Sequence, residues 1–139
     1  MRVENALVSV EGRKSFLKGL IRVAKTDGTF DANEWEYYQQ AAQYMELSET
    51  DIQELNNCCT VDNEKITLNF TTSSEKMFFL VEAVQLCWVN DEYSDAEKRE
   101  IHQIAKEVGI SKEALKAVED WVYEGMEWNK RGDELLNLK

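Results

Sequence analysis

One pattern occurs twice in this chain, and the repetition limits what the chain can fold into. Glu34 and Glu97 lie 63 positions apart, and their surroundings match at that offset. The first copy reads Ala24-Lys-Thr-Asp-Gly-Thr-Phe-Asp-Ala-Asn-Glu34, and the second reads Cys87-Trp-Val-Asn-Asp-Glu-Tyr-Ser-Asp-Ala-Glu97. In each copy an apolar, helix-like segment enters an acidic turn, and an acidic segment with a helix-capping pattern leaves it. The repeat therefore predicts two similar helical units.

The rest of the chain also favours helices. It contains no proline, the residue that breaks helices most strongly. Residues 12–26 carry apolar side chains at helical spacing, and residues 74–89 are apolar nearly all round, which is typical of a central helix. We predict an all-α fold of about seven helices in which two pseudo-symmetric repeats share one core. The predicted core includes Phe16, Leu20, Phe79, Leu80 and Val84.

The length of 139 residues suits a single domain covering residues 1–139. The first repeat spans about 12–56 and the second about 74–125. Between them, Ile66, Leu68 and Phe70 alternate with polar residues as in a strand. Because no second strand is visible to pair with this segment, we predict that residues 57–73 form an ordered loop held by those three side chains.

Five helix starts are marked by capping residues. A Ser, Thr or Asp followed three residues later by Glu is typical of a capping box. We predict capping boxes for Asp31 with Glu34, Thr72 with Glu75, and Ser94 with Glu97. Ser48 and Ser111 are predicted to cap two further helices.

Composition limits the classes of partner. The net charge is −11 and the sequence pI is near 4.6, so the chain repels nucleic acid and attracts cations and basic partners. No apolar run reaches the roughly 20 residues that span a bilayer, and the N-terminus lacks the apolar core of a signal peptide. We expect a cytoplasmic protein with a protein partner, no nucleic acid and no membrane insertion.

The three cysteines agree with a reducing compartment. Their number is odd, and Cys58 and Cys59 are adjacent, which suits a structural disulfide poorly. We predict that no disulfide is needed for folding and that Cys87 is a small core residue.

The first turn resembles the second half of a calcium-binding EF-hand loop, with Asp27-Gly28 followed by Glu34. The first half does not fit, because the first and third ligand positions would be Val23 and Lys25. In the second copy those positions would also be apolar. Such side chains supply no oxygen to calcium, so an EF-hand is not predicted.

An apolar helix followed by Asp-Gly-x-apolar-x-x-x-Glu, present twice, resembles the TerB family of tellurite-resistance proteins over residues 12–125. Asp27, Gly28 and Glu34 match the motif; in the second copy Glu97 matches, whereas Asn90 and Asp91 replace the Asp and Gly. The resemblance implies an all-helical fold with two similar halves. It also implies an intracellular, stress-linked role without established enzymatic chemistry, and divalent-metal binding by the turn acids.

The turn acids provide the candidate metal ligands. Carboxylates are hard oxygen ligands that favour calcium or magnesium. We predict a weak site at Asp27, Asp31 and Glu34, and a weaker one at Asp91, Asp95 and Glu97. In the alternative interpretation these acids are helix caps and a solvated acidic rim.

No nucleophile–base pair or Gly-rich phosphate loop is visible, so no catalytic residue is assigned. His102 is the only histidine and is predicted to lie on the surface. The leading functional hypothesis is a non-enzymatic module for interaction or for tellurite or metal stress. The alternatives are a metal-dependent hydrolase that uses the same acids and a metal-free interaction adaptor.

One basic helix face stands out in this acidic chain, formed by Lys14, Lys18, Arg22 and Lys25. The favoured interpretation is a solvated face balanced by local acids. Alternatively, it receives an acidic partner or the other half of the chain.

Overall fold

A computed structural model of the chain describes residues 7, 9–27, 30–89 and 93–137, with only the backbone of Asp27. Six α-helices lie in these residues, and no strand does. They are α1 (Val10–Ala24), α2 (Ala32–Tyr44), α3 (Glu49–Cys58), α4 (Ser73–Val89), α5 (Asp95–Glu107) and α6 (Lys112–Leu136), with short 3-10 segments at Lys25–Asp27 and Asn63–Lys65. The all-α prediction is confirmed.

The C-terminal segment of the described residues does not form a separate helix. It continues α6 as far as Leu136. None of the helices in the described residues is long and apolar enough to cross a membrane. The single-domain assignment and the pseudo-symmetry of the two repeats stay predictions.

Capping side chains begin the helices largely as predicted. Ser48 accepts a hydrogen bond from Asp51 N, and Ser111 accepts one from Ala114 N. The start of the first helix was predicted too late, because Ser9 caps α1 by accepting from Gly12 N at 2.9 Å. A cap needs only groups within three residues, which is why sequence patterns locate caps well.

The core lies around α1 and α4. Helix α4 contacts α1, α5 and α6, and α1 also contacts α2, α3 and α5. Phe79, Leu80 and Val84 of α4 are fully buried, and the predicted core residues Phe16 and Leu20 of α1 are also buried. Phe16 stacks on Phe78 at a centroid distance of 5.3 Å and meets Phe79 edge-on at 6.1 Å. The predicted core residues are therefore confirmed, and α4 shares the central position with α1.

Two glycines allow α1 to approach α4 closely. A Cβ atom at Gly19 would lie 2.4 Å from Cε1 of Phe79, and one at Gly12 would lie 2.0 Å from a carboxylate oxygen of Glu75. Real Cβ atoms do not approach neighbours so closely. The two glycines are seven residues apart on α1, and the side chains that they meet are one turn apart on α4. The pair of glycines therefore sets the distance between α1 and α4.

Glu75 corrects one of the predicted capping boxes. Its backbone N–H donates to Thr72 Oγ1 at 3.1 Å, as expected. Its carboxylate, however, accepts from the N–H and hydroxyl of Thr71, both at 2.7 Å, and from the hydroxyl of Ser9 at 3.0 Å. The carboxylate is fully buried and joins the starts of α1 and α4. Because the two helices are in contact here, the carboxylate bonds to groups outside its own helix.

Residues between α3 and α4 form an ordered connection without a strand, as predicted. Ile66 is buried, and Leu68 and Phe70 pack against the core. The backbone N–H of Asn69 donates to Ser15 Oγ of α1 at 2.7 Å. These contacts hold the connection along α1.

The basic face of α1 is buried, so the prediction of a solvated face is wrong. Lys14, Lys18 and Arg22 are exposed by only 9, 8 and 2 %. Glu54 of α3 accepts from both lysines, with oxygens 2.6 Å from Lys14 Nζ and 2.7 Å from Lys18 Nζ. Lys25 donates to the backbone carbonyls of Cys58, at the end of α3, and of Val61 beyond it. Helices of the same chain therefore cover this face.

Arg22 is the most deeply buried cation of that face and connects it to α5. Its guanidinium donates to both carboxylate oxygens of Glu107 at 3.0 and 2.9 Å, and Nε donates to Glu100 at 2.8 Å. It also donates to the carbonyl of Ile66 at 3.2 Å. The alternative that this face receives another part of the chain is thus correct for Arg22.

Candidate functional site at the two acidic turns

The first acidic turn ends in a capping box at the start of α2. Asp31 Oδ1 accepts from Glu34 N at 2.9 Å, and Glu34 Oε1 accepts from Asp31 N at 3.4 Å. This is the predicted arrangement, and it uses one oxygen of each carboxylate. Gly28 lies outside the described residues.

The second acidic turn repeats this arrangement at the start of α5. Glu97 N donates to Ser94 Oγ at 3.2 Å, and Ser94 N donates to Glu97 Oε1 at 2.9 Å. Glu97 is exposed by only 6 %. The cap interpretation of Glu34 and Glu97 is therefore confirmed, and each retains a second carboxylate oxygen that accepts no hydrogen bond from a described residue.

The two caps meet at one cavity of about 360 Å³, called here the acidic cavity. Asp31 and Glu34 line it from α2, and Glu97 lines it from α5. Its apolar lining comes from Leu20, Val23 and Ala24 of α1 and from Ala83, Leu86 and Cys87 of α4. The turns that the sequence placed 63 residues apart thus contribute carboxylates to a common recess.

Asn33 and two tyrosines of α2 also line the cavity. Tyr37 is 59 % exposed, whereas Tyr38 is 4 % exposed. Their rings meet edge-on at a centroid distance of 5.2 Å, and Tyr38 stacks on Phe30 at 5.9 Å. Burial raises the pKa of Tyr38, so its phenol stays neutral. Sequence reasoning missed Tyr37, although an adjacent aromatic pair just after a predicted cap was a usable signal.

The predicted metal ligands are only partly brought together. Asp31, Glu34 and Glu97 line the acidic cavity, whereas Asp95 lines a different recess. Asp91 and the side chain of Asp27 lie outside the described residues. Within the described part of the chain, no three His, Cys, Asp or Glu side chains are arranged to hold a metal ion. Each of the two predicted metal sites includes either Asp27 or Asp91, so both sites stay predictions.

A second recess of about 780 Å³ lies between α5 and α6 and has the opposite charge. Four cations line it, and none makes an ion pair with a described residue; they are Lys98, Arg99, Lys106 and Lys112. We call it the basic groove. His102 also lines it, and the groove is separate from the acidic cavity.

His102 lies at the surface, as predicted, with 41 % of its side chain exposed. Its Nε2 is 3.1 Å from Oε2 of Glu119, which also accepts from the Tyr93 hydroxyl at 2.8 Å. Since the only histidine of the chain is held there, no imidazole serves the acidic cavity.

The cysteines lie in the protein interior or close to it. Cys87 is 2 % exposed, as predicted for a core residue, and Cys58 is also buried. The described residues include all three cysteines and no disulfide. Burial raises the pKa of the Cys59 thiol to about 11, which disfavours the reactive thiolate.

Comparisons of the chain with protein-family models, with curated proteins and with solved structures find no match in any of the three. The resemblance to the TerB family therefore stays a prediction that depends on the turn residues.

Proposed function

We propose that this chain is a non-enzymatic, cytoplasmic, TerB-like interaction module that binds a basic segment of a partner protein at the acidic cavity. The observation that carries the proposal is the convergence of Asp31, Glu34 and Glu97 on one recess with an apolar lining. The stress-linked role implied by the TerB resemblance belongs to the same proposal.

The chemistry of the lining supports a ligand with an apolar stem and a positive end. Lysine and arginine bury their methylene stems against apolar surface and keep the charged group at the rim. Here the half-buried Leu86 and Ala24 offer the apolar contact. The oxygens of Glu34 and Glu97 that are not used in capping offer the charge. The exposed ring of Tyr37 adds a cation–π surface.

The volume and the charge of the molecule agree with this ligand. A cavity of about 360 Å³ admits one long side chain or a small ligand rather than a folded element. The net charge of −11 attracts cations from a distance and increases their local concentration.

The test is a titration of isotope-labelled protein with a short lysine–leucine peptide, followed by NMR. We expect saturable shifts at Glu34, Tyr38 and Ala83 that weaken as salt is added. Tyr37→Ala should weaken binding, since it removes an exposed cavity wall without touching a cap. Tyr44→Ala is the matched control, because Tyr44 is 80 % exposed on the same helix and does not line the cavity.

A second candidate function is divalent-cation binding at Asp27, Asp31 and Glu34. The confirmed cap at Glu34 favours only a weak site, because one carboxylate oxygen is already used. If calcium or magnesium at millimolar concentration raises the melting temperature and the peptide produces no shifts, the cation function replaces the peptide function. Turnover of a phosphate ester with magnesium or manganese would instead support the hydrolase alternative. If neither peptide nor cation changes the spectra, both binding functions are wrong.

A further inference from the structure

Helix α6 is long, and the described residues leave one of its faces uncovered. It has 25 residues and so extends about 37 Å. It is anchored in the core through Leu115, Val118 and Val122, and Met126 also packs against the core. Trp121, Trp128 and Leu135 are exposed by 56, 75 and 69 %. They are spaced by seven residues, so they form one stripe along the helix, which we call the tryptophan stripe.

Two glycines lie beside the tryptophan stripe. Gly125 and Gly132 each follow a tryptophan of the stripe by four residues, which places them one turn further along the same side. A Cβ atom at either position would have no described atom within 4 Å. The helix surface therefore alternates large aromatic projections with shallow depressions. The depressions leave room beside the tryptophans for the aromatic rings of a second helix.

Charges on the other side of the stripe favour one orientation of that second copy. Glu124 and Arg131 are exposed and lie seven residues apart, so they occupy equivalent heptad positions. Neither makes an ion pair with a described residue. In a parallel pair of helices each charge would face its own copy and be repelled. In an antiparallel pair centred on Trp128, Glu124 of each copy lies beside Arg131 of the other copy. The two-fold axis therefore produces two equivalent pairs of opposite charges.

We propose that two copies of this chain associate through an antiparallel, two-fold pair of α6 helices. Trp128 meets its own counterpart at the centre, and Trp121 of each copy packs against Leu135 of the other. The exposed apolar area of the stripe is on the order of 400 Å² per copy, counting about 200 Å² for a whole tryptophan side chain. Two copies would bury about 800 Å² in total, which is below the range of stable specific interfaces and suits a weak dimer that dissociates on dilution.

The first test is sedimentation equilibrium of the full chain from micromolar to millimolar concentration. We expect the mass to rise from the 16.1 kDa of one chain towards twice that value. Trp128→Ala should weaken association by about tenfold or more, because a central tryptophan carries a large share of the energy of an interface. Tyr44→Ala, which removes an equally exposed aromatic residue away from α6, should leave association unchanged. A monomer at every concentration, or a dimer unaffected by Trp128→Ala, overturns the proposal.

The second test examines the orientation by charge reversal. Glu124→Arg and Arg131→Glu alone should each weaken association, since each places like charges together. The double variant with both changes should restore it, because the ion pairs re-form with exchanged partners. Both positions are exposed, so circular dichroism should show the same helix content in every variant. If the double variant associates no better than the single variants, the antiparallel arrangement is wrong.

Discussion

Replacing Arg22 with methionine removes the cation that holds α1 to α5 while keeping most of the side-chain volume. Arg22 is 2 % exposed and donates to Glu100, to Glu107 and to the carbonyl of Ile66. Methionine satisfies none of these acceptors. The substitution therefore measures the cost of leaving them unpaired rather than the cost of a cavity.

The magnitude follows from how well each acceptor can reach water. Breaking a buried ion pair by removing one partner costs roughly 3–5 kcal/mol. The side chain of Glu107 is 37 % exposed and can be solvated, whereas that of Glu100 is only 16 % exposed. The orphaned carbonyl of Ile66 adds about 1–3 kcal/mol if no water reaches it. We expect Arg22→Met to lower the free energy of unfolding by about 3 kcal/mol.

Urea unfolding followed by far-ultraviolet circular dichroism at neutral pH measures this difference directly. Lys116→Met is the matched control, because the Lys116–Asp120 ion pair joins side chains that are 74 and 58 % exposed. That change should leave the free energy of unfolding nearly unchanged, because an ion pair in water contributes little to stability. If Arg22→Met costs no more than Lys116→Met, the buried network does not stabilise the fold and the reasoning is refuted.

Three further predictions concern other contacts. Gly19→Ala should lower the free energy of unfolding by about 1–3 kcal/mol in thermal or urea unfolding, because the new Cβ meets the fully buried ring of Phe79. This cost should exceed the gain from the higher helix propensity of alanine. A stabilised variant would contradict the close approach of α1 to α4. Burial alone would raise the pKa of Glu75, but hydrogen bonds from Thr71 and Ser9 outweigh it and lower that pKa. The ionised Glu75 therefore stabilises the fold fully above the usual glutamate pKa, and this stabilisation is lost as the pH falls through the lowered pKa. In the Glu75→Gln variant, the free energy of unfolding should decrease less steeply as the pH is lowered. A disulfide reagent at neutral pH should label the native cysteines slowly and the urea-unfolded cysteines quickly, and reductant should leave the melting temperature unchanged; a lower melting temperature in reductant would show that a disulfide supports the fold.

The sequence by itself determined the all-helical fold class, most of the capping residues and the most apolar helix. Each of these depends on atoms close together in the chain. The caps of α2 and α5, for example, join residues only three positions apart, so the capping pattern already contains both partners. Helical periodicity is likewise local, and it correctly selected buried residues such as Phe79 and Val84.

The tertiary structure alone decided how the polar residues pair. Arg22 and Glu107 are 85 positions apart, and Glu75 reaches Ser9 across 66 positions. A basic helix face has the same local sequence pattern whether water or an acidic helix covers it. The pattern on α1 therefore favoured the wrong interpretation. The meeting of Glu34 and Glu97 at one cavity likewise depends on how α2 and α5 pack around α1 and α4. Such packing is the outcome of burying the whole apolar surface at once, and no local pattern contains that information.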